Sequence, residues 1–301
     1  MLRLLPAFLA LLVTIAPPAA AQERQTLGYG RLFVNDGVGD ARDRWRTGAY
    51  TVSVLRGPDW NGTLPGRPGT ILEYRARAEI VAPANLSSPA PGDRRYAGIL
   101  SGGVHTHFAL AGAEARIGLD LVVTGKATGL GSFQKFIHRV VNLPQPDLSQ
   151  QIPNGIHPML SAEIGRDIAL GPSARLRPFA EAQLGFESLA RVGADLTFGR
   201  FGSGALMLRD TTTGQRYRGI RGEGAPGVSF VLGGDVARVG DSALLPTPGP
   251  APRDMRSRLR AGLHWQGAKG EAFWGVAWLS PEFEGQQRGQ AVGTLRLRLR
   301  F

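Results

Sequence analysis

The chain of 301 residues contains no cysteine, which excludes a disulfide framework, a thiolate metal site and a cysteine nucleophile. Lysine is scarce, occurring only at Lys126, Lys135 and Lys269, so 32 of the 35 basic residues are arginine. After Ala21 no apolar run approaches the ~20 residues a spanning helix needs, so the remainder offers no transmembrane helix. It has no Gly-x-Ser-x-Gly nucleophile elbow and no His-Glu-x-x-His zinc helix. Glycine, at 42 residues, is roughly twice its usual share. The formal net charge of +11 rests on arginine, whose planar fork pairs bidentately with carboxylate or phosphate, and points to nucleic acid or membrane phosphates as anionic partners.

The first residues decide between those partners. Arg3, the apolar stretch Leu4 to Ala16 and the small residues Ala19-Ala20-Ala21 form a secretory signal peptide over residues 1–21. An uncleaved anchor is the alternative, but the run is short for one. Export argues against nucleic acid and leaves a mature chain of residues 22–301, read as one barrel domain.

That chain alternates. Leu72, Tyr74, Ala76, Ala78 and Ile80 are interleaved with Glu73, Arg75, Arg77 and Glu79, and Leu259, Ala261, Leu263 and Trp265 with Arg258, Arg260, Gly262 and His264. Period two means strands with one apolar and one polar face. A soluble β-sandwich would alternate similarly. Two features favour an all-β, antiparallel up-and-down transmembrane barrel: several strands reach the ~9–11 residues that cross an outer membrane at a tilt, and the last segment alternates Leu295, Leu297, Leu299 and Phe301 with Arg296, Arg298 and Arg300. A terminal strand ending in Phe resembles the signal read by the bacterial barrel-assembly machinery. The three terminal arginines are expected inside the lumen, neutralised by Glu73, Glu79 and Glu181.

Two polar constellations stand apart. His138 closes the run Gly129-Leu130-Gly131-Ser132-Phe133-Gln134-Lys135-Phe136-Ile137-His138. On a helix Gln134 and His138 are i and i+4 on one face, where a glutamine orients a ring or a water and histidine serves as general base near neutral pH; a structural histidine is the plainer alternative. Near the mature start, Asn35-Asp36-Gly37 reads as a hairpin turn or as part of a hard-cation site, with Asp40 or Asp43 as further oxygen donors for Ca²⁺. His105 and His107 share a strand face and are read as wall residues rather than metal ligands.

In order, Asn35-Asp36, Asp43-Arg44-Trp45 with Thr47-Gly48, Asp93-Arg94-Arg95-Tyr96-Ala97-Gly98 and the segment ending Gln134…His138 resemble the successive signatures of the outer-membrane lipid A 3'-O-deacylases. The resemblance covers essentially the whole mature chain. It implies a barrel of about 12 strands in the bacterial outer membrane, with lipid A of lipopolysaccharide as substrate. It also implies Ca²⁺-dependent hydrolysis of the ester holding the 3'-linked acyloxyacyl chain, at a site partly facing lipid. It makes His138 the general base with Gln134 beside it, Asn35 and Asp36 part of the catalytic and cation cluster, and Thr47 a further site residue. Arginines near the rim would hold the substrate's phosphates. There are departures: Gly48-Ala49 lacks one family Asn, Arg95 replaces a Pro, Lys126 replaces the Pro of a Gly-Pro, and the Pro-x-Gly-Trp after the histidine is absent. The family's lysine has no aligned counterpart; Lys126 and Lys135 only lie nearby. A passive porin-like channel and a barrel that binds lipopolysaccharide without turnover are the alternatives.

Overall fold

The computed structural model describes residues 23–222 and 226–299. The proposed signal peptide, Arg300 and Phe301 lie outside the described residues. Fifteen strands and one α-helix follow in chain order: β1 (Gln25–Asn35), β2 (Trp45–Gly57), β3 (Ile71–Ala82), β4 (Ala97–Leu110), β5 (Ala113–Thr124), α1 (Leu130–Val140), β6 (Gly155–Gly165), β7 (Ile168–Gly171), β8 (Ala174–Gly185), β9 (Glu187–Phe198), β10 (Leu206–Arg209), β11 (Arg216–Ile220), β12 (Gly227–Ser242), β13 (Met255–Gln266), β14 (Gly270–Leu279) and β15 (Gln290–Leu299).

Twelve of the strands close into an antiparallel barrel. Each pairs with its neighbour in sequence around the wall, β1 pairs with β15 (Phe33 opposite Leu295), and β6 pairs with β8 (Leu160 opposite Leu184). β7 continues along β8 beyond the end of β6. Closure satisfies every strand edge, as a spanning sheet requires in hydrocarbon. The alternation in sequence becomes inside and outside. Leu100, Val104, Leu119, Leu121, Leu259 and Trp274 are exposed on the wall, whereas Glu73, Arg75, Arg77, Glu79, Arg258 and Arg260 are buried in the lumen.

One element has no outward face. The hairpin of β10 and β11 is inside the barrel, where Leu208 and Tyr217 pack with Leu32 and Leu55. Its charged residues reach the wall on several sides. Arg209 bonds Glu163 on β6 and Asp195 on β9, Asp210 bonds Arg77 on β3 at 2.6 Å, and Arg218 bonds Glu271 on β14 at 2.7 Å. The lumen is therefore filled. Lumen ion pairing is present, with partners other than those expected from the sequence. Arg296 points inward and pairs with Glu271, Arg298 is exposed, and Glu73, Glu79 and Glu181 serve Arg75, Arg77 and Arg191. His105 and His107 are each held by a carboxylate, Asp120 at 3.2 Å and Glu73 at 2.8 Å.

The barrel has unlike ends. The end holding the start of β1 and the finish of β15 has tight turns after β4 and β13. The opposite end carries loops 36–44, 83–96, 125–154, 243–254 and 280–289, and α1 stands in the third of these.

Candidate active site

β1 runs out of the wall into a single 3₁₀ turn, Asp36–Val38. Asn35 is extended and caps it: its Oδ1 accepts from the Gly37 amide at 2.8 Å, while its Nδ2 donates to the Thr47 carbonyl at 3.1 Å. Asn35 lies opposite Gly48 in the β1–β2 ladder, and a Cβ on Gly48 would come within 3.0 Å of Asn35 Nδ2. The Thr47-Gly48 pair is thus what admits the asparagine. Asn-Asp-Gly makes a capped turn rather than a two-residue hairpin.

The capped turn buries Asp36, which is only 3% exposed. Its Oδ2 accepts from the Arg44 amide at 3.0 Å. Burial, reinforced by the nearby Asp43 carboxylate, pushes the Asp36 carboxyl up to about 8, against the pull of the Arg44 and Gly37 amides. Asp40 does not share this pocket, because Arg44 takes it at 2.7 Å.

α1 supplies the facing side. Gly129, in the left-handed region at φ 72°, turns the chain into the helix. Gly131, Gln134 and His138 form its buried face, and Phe133, Phe136, Ile137 and Val140 its exposed one. This is the i, i+4 arrangement expected from the sequence. Gly131 permits close packing against the neighbouring loops, since a Cβ there would meet Leu148 at 2.7 Å and Tyr96 at 3.5 Å. His138 Nδ1 lies 2.6 Å from the Pro144 carbonyl and Nε2 2.9 Å from Asp43 Oδ2. Gln134 Nε2 donates to Asp43 at 3.3 Å and lies 3.4 Å from His138 Nε2. A carbonyl only accepts, so Nδ1 carries a hydrogen. Nε2 faces the Asp43 carboxylate. The ring is oriented on one side and aimed into the site on the other.

These parts meet in an open groove of about 740 Å³ between α1 and the outer wall. Asn35, Asp36, Asp43, Thr47, Gln134 and His138 line its polar end, and Phe33, Tyr50, Ile80, Phe133 and Ile137 its apolar one. All five residues expected from the sequence are therefore brought together across more than 100 positions. Asp43, offered by the sequence as a further oxygen donor, joins them. It belongs to the Asp-Arg-Trp signature, but nothing in the local pattern shows that it faces a histidine 95 residues away. Lys126 and Lys135 are not among the groove residues.

Among the described residues no three His, Asp or Glu side chains converge as a metal-binding set. Oxygen donors of other kinds are present. Thr47 Oγ1 and Gln134 Oε1 are buried with no hydrogen-bond partner, and Asp36 and Asp43 repel each other beside them. Carboxylates beside unsatisfied hydroxyl and amide oxygens in one groove are the donor chemistry a hard cation uses.

Beneath the groove, Arg46 bonds Glu282 at 2.8 Å and Glu79 at 3.1 Å, and Arg94, wholly buried, bonds Glu282 at 2.6 Å. The second arginine-bearing signature is thus part of the support under the site. Arg95, which stands where the resembling family has Pro, donates to the Pro248 carbonyl.

Among solved structures, LpxR from Salmonella typhimurium matches with a TM-score of 0.74 at 15% identity, covering 91% of this chain and all of that one. The NanC porin matches with a TM-score of 0.41 at 5% identity, over 91% of this chain and all of that one. No curated protein sequence matches. The family model described as outer membrane protein LpxR matches residues 7–301, and with the twelve-stranded barrel it shows that the chain belongs to the LpxR family of outer-membrane proteins.

Proposed function

We propose that the protein hydrolyses the ester holding the 3'-linked acyloxyacyl chain of lipid A, with His138 as general base and Ca²⁺ as cofactor. The observation that carries the reading is the joining of a histidine, oriented through Nδ1, to a lipid-facing groove whose polar end holds two carboxylates. Outer-membrane barrels carry their longer loops outside the cell. That orientation places the groove at the outer leaflet, where lipid A resides.

In this reading the acyl chain lies along Phe33, Tyr50, Ile80 and Phe133, which brings the ester to His138. Water is a poor nucleophile. His138 Nε2 takes its proton as the oxygen attacks the acyl carbonyl, and the ester C–O bond then breaks to leave the sugar hydroxyl and a free fatty acid. Nε2 can do this in the neutral ring, where Nδ1 carries the hydrogen and Nε2 the lone pair. Gln134, bonded to Asp43, holds that carboxylate in place and presents Oε1 to the incoming water. Asp36, Asp43, Thr47 and Asn35 are the residues that would hold the cation. When bound there, it supplies positive charge for the oxyanion, a contribution whose loss typically costs ~10²–10³ in rate.

The filled lumen counts against the porin-like alternative, because the β10–β11 hairpin and its ion pairs occupy the space a channel needs. The deciding experiment is mass spectrometry of lipid A from a bacterium expressing the chain, with and without Ca²⁺ chelation. Loss of one acyloxyacyl unit, abolished by chelation, supports the hydrolase and its cofactor. Unchanged lipid A from a folded barrel overturns it, and lipid A binding without release would leave a non-catalytic lipopolysaccharide-binding barrel.

A further inference from the structure

The groove accounts for only part of the surface of α1. At ~100° per residue the helix divides into three faces. Gly131, Gln134 and His138 are the buried face, turned to the barrel. Ser132, Lys135 and Arg139 share a polar face, on which Ser132 and Arg139 are exposed. Phe133, Phe136, Ile137 and Val140 form an exposed apolar face. Phe133 and Ile137 border the groove. Phe136 and Val140 do not, nor does Val141, which caps the helix, and each of these three is more than half exposed. Nothing among the described residues covers them.

The surroundings indicate what does. α1 packs outside the barrel, over β3 and β4. The nearby wall is itself exposed and apolar, as at Tyr50 on β2 and Leu100 on β4. In an outer-membrane barrel such a wall meets hydrocarbon. Phe136, Val140 and Val141 continue that surface beyond the groove.

The order of the faces around the helix agrees. The apolar and polar faces flank the barrel-facing one on opposite sides. With the buried face held against the barrel, one flank can lie in hydrocarbon while the other meets water. A helix lying in the lipid–water boundary has this division, with lysine and arginine on its polar face reaching the headgroups. Lys135 and Arg139 stand on that face. A second copy of the chain could also cover an apolar face, but the adjoining cations and the continuity with the lipid-facing wall favour the bilayer.

We propose that α1 is an interfacial membrane helix: Phe136, Val140 and Val141 enter the acyl layer of the leaflet, and Lys135 and Arg139 meet its headgroups. The partner is the bilayer itself, not a molecule held in the groove. The proposal rests on the outer-membrane barrel and not on the hydrolase reading. Because His138 is on the same helix, the depth to which the apolar face enters also sets the height of the histidine above the acyl layer.

The absence of cysteine makes the test direct. The single variants S132C, F136C, R139C and V140C of the full-length protein are each labelled with a nitroxide. Each is reconstituted into vesicles of phosphatidylcholine and phosphatidylglycerol, and its folding is checked by migration on an unboiled gel. Power-saturation paramagnetic resonance then compares collisions with oxygen, which concentrates in hydrocarbon, and with a water-soluble nickel chelate. The expected result is an excess of oxygen collisions at F136C and V140C, at a depth of ~5–10 Å, and an excess of nickel collisions at S132C and R139C. Nickel excess at F136C and V140C would place the helix in water and overturn the proposal. Shielding of both positions from both reagents would mean that protein covers the face, and oxygen excess at all four would mean that no polar flank exists; either result also overturns it. Acyl release plays no part in the readout, so failure of the hydrolase reading would leave this result standing, and the reverse holds.

Discussion

At the scale of single residues, the site turns on where protons sit. His138 commits Nδ1 to the Pro144 carbonyl and leaves Nε2 for chemistry. Replacing it with Ala is expected to lower acyl release by about 10²–10⁴-fold, the usual worth of a general base. The barrel should still migrate as a folded species on an unboiled gel, because His138 bonds only to its own loop, to Asp43 and to Gln134. Unaltered release by the folded variant would reject the base assignment. Asp36 gives the pH dependence. Its carboxyl sits at about 8 in the folded chain against 3.8 for the free group. A raised value means that folding favours the protonated form. The resulting stability is fully present below pH ~4 and is lost as pH rises through 8. A cation binds the ionised form, so Ca²⁺ should raise the unfolding temperature more at pH 9 than at pH 6. Asp36→Asn should abolish that difference. An equal Ca²⁺ effect at both pH values in the wild type would show that Asp36 is not a ligand.

At the scale of elements, α1 is positioned by what Gly131 lacks. A single methyl there meets the mobile end of Leu148, so Gly131→Ala should act nearly as wild type. A leucine would also press on buried Tyr96 and lift the helix, moving His138 from Asp43. Misplacement by about 1 Å is enough to cost ~10² in rate. Gly131→Leu is therefore expected to lose about that much kcat/KM while the barrel stays folded; equal activity of the two variants would mean that the seat does not set the geometry. The elements also show what is legible in the sequence. The wall strands announce themselves because one face meets lipid and the other the lumen, as in Leu72 to Ile80. The helix face is legible because Gln134 and His138 are four residues apart. The β10–β11 hairpin is not, because both its faces are buried and its partners Glu163, Arg77 and Glu271 lie 46 to 133 residues away. The Asp43–His138 contact is hidden for a similar reason: it is made across the β1–β6 wall, where the helix packs over β3 and β4 and the first loop meets the third.

At the scale of the whole molecule, the lumen behaves as an ionic core. Asp235 on β12 shows how tightly it is wired: it accepts from Arg258 at 2.9 Å, from Arg260 and from Arg191. Removing it leaves three buried guanidinium groups short of a counter-charge, and an uncompensated buried charge costs ~3–5 kcal/mol. Asp235→Ala should lower the temperature at which the folded, unboiled form is lost, and Asp235→Asn should lower it less, since the amide still accepts a hydrogen bond. The groove at the outer wall is built from other residues, with Arg46 and Glu79 between the two regions. Acyl release per folded molecule should therefore be unchanged in Asp235→Asn when assayed below its unfolding temperature. A loss of release at full folding would show instead that the lumen network sets the position of the β1–β2 loop. The coupling would then run from Asp235 through Arg258, Thr212 and Glu79 to Arg46, at the start of β2.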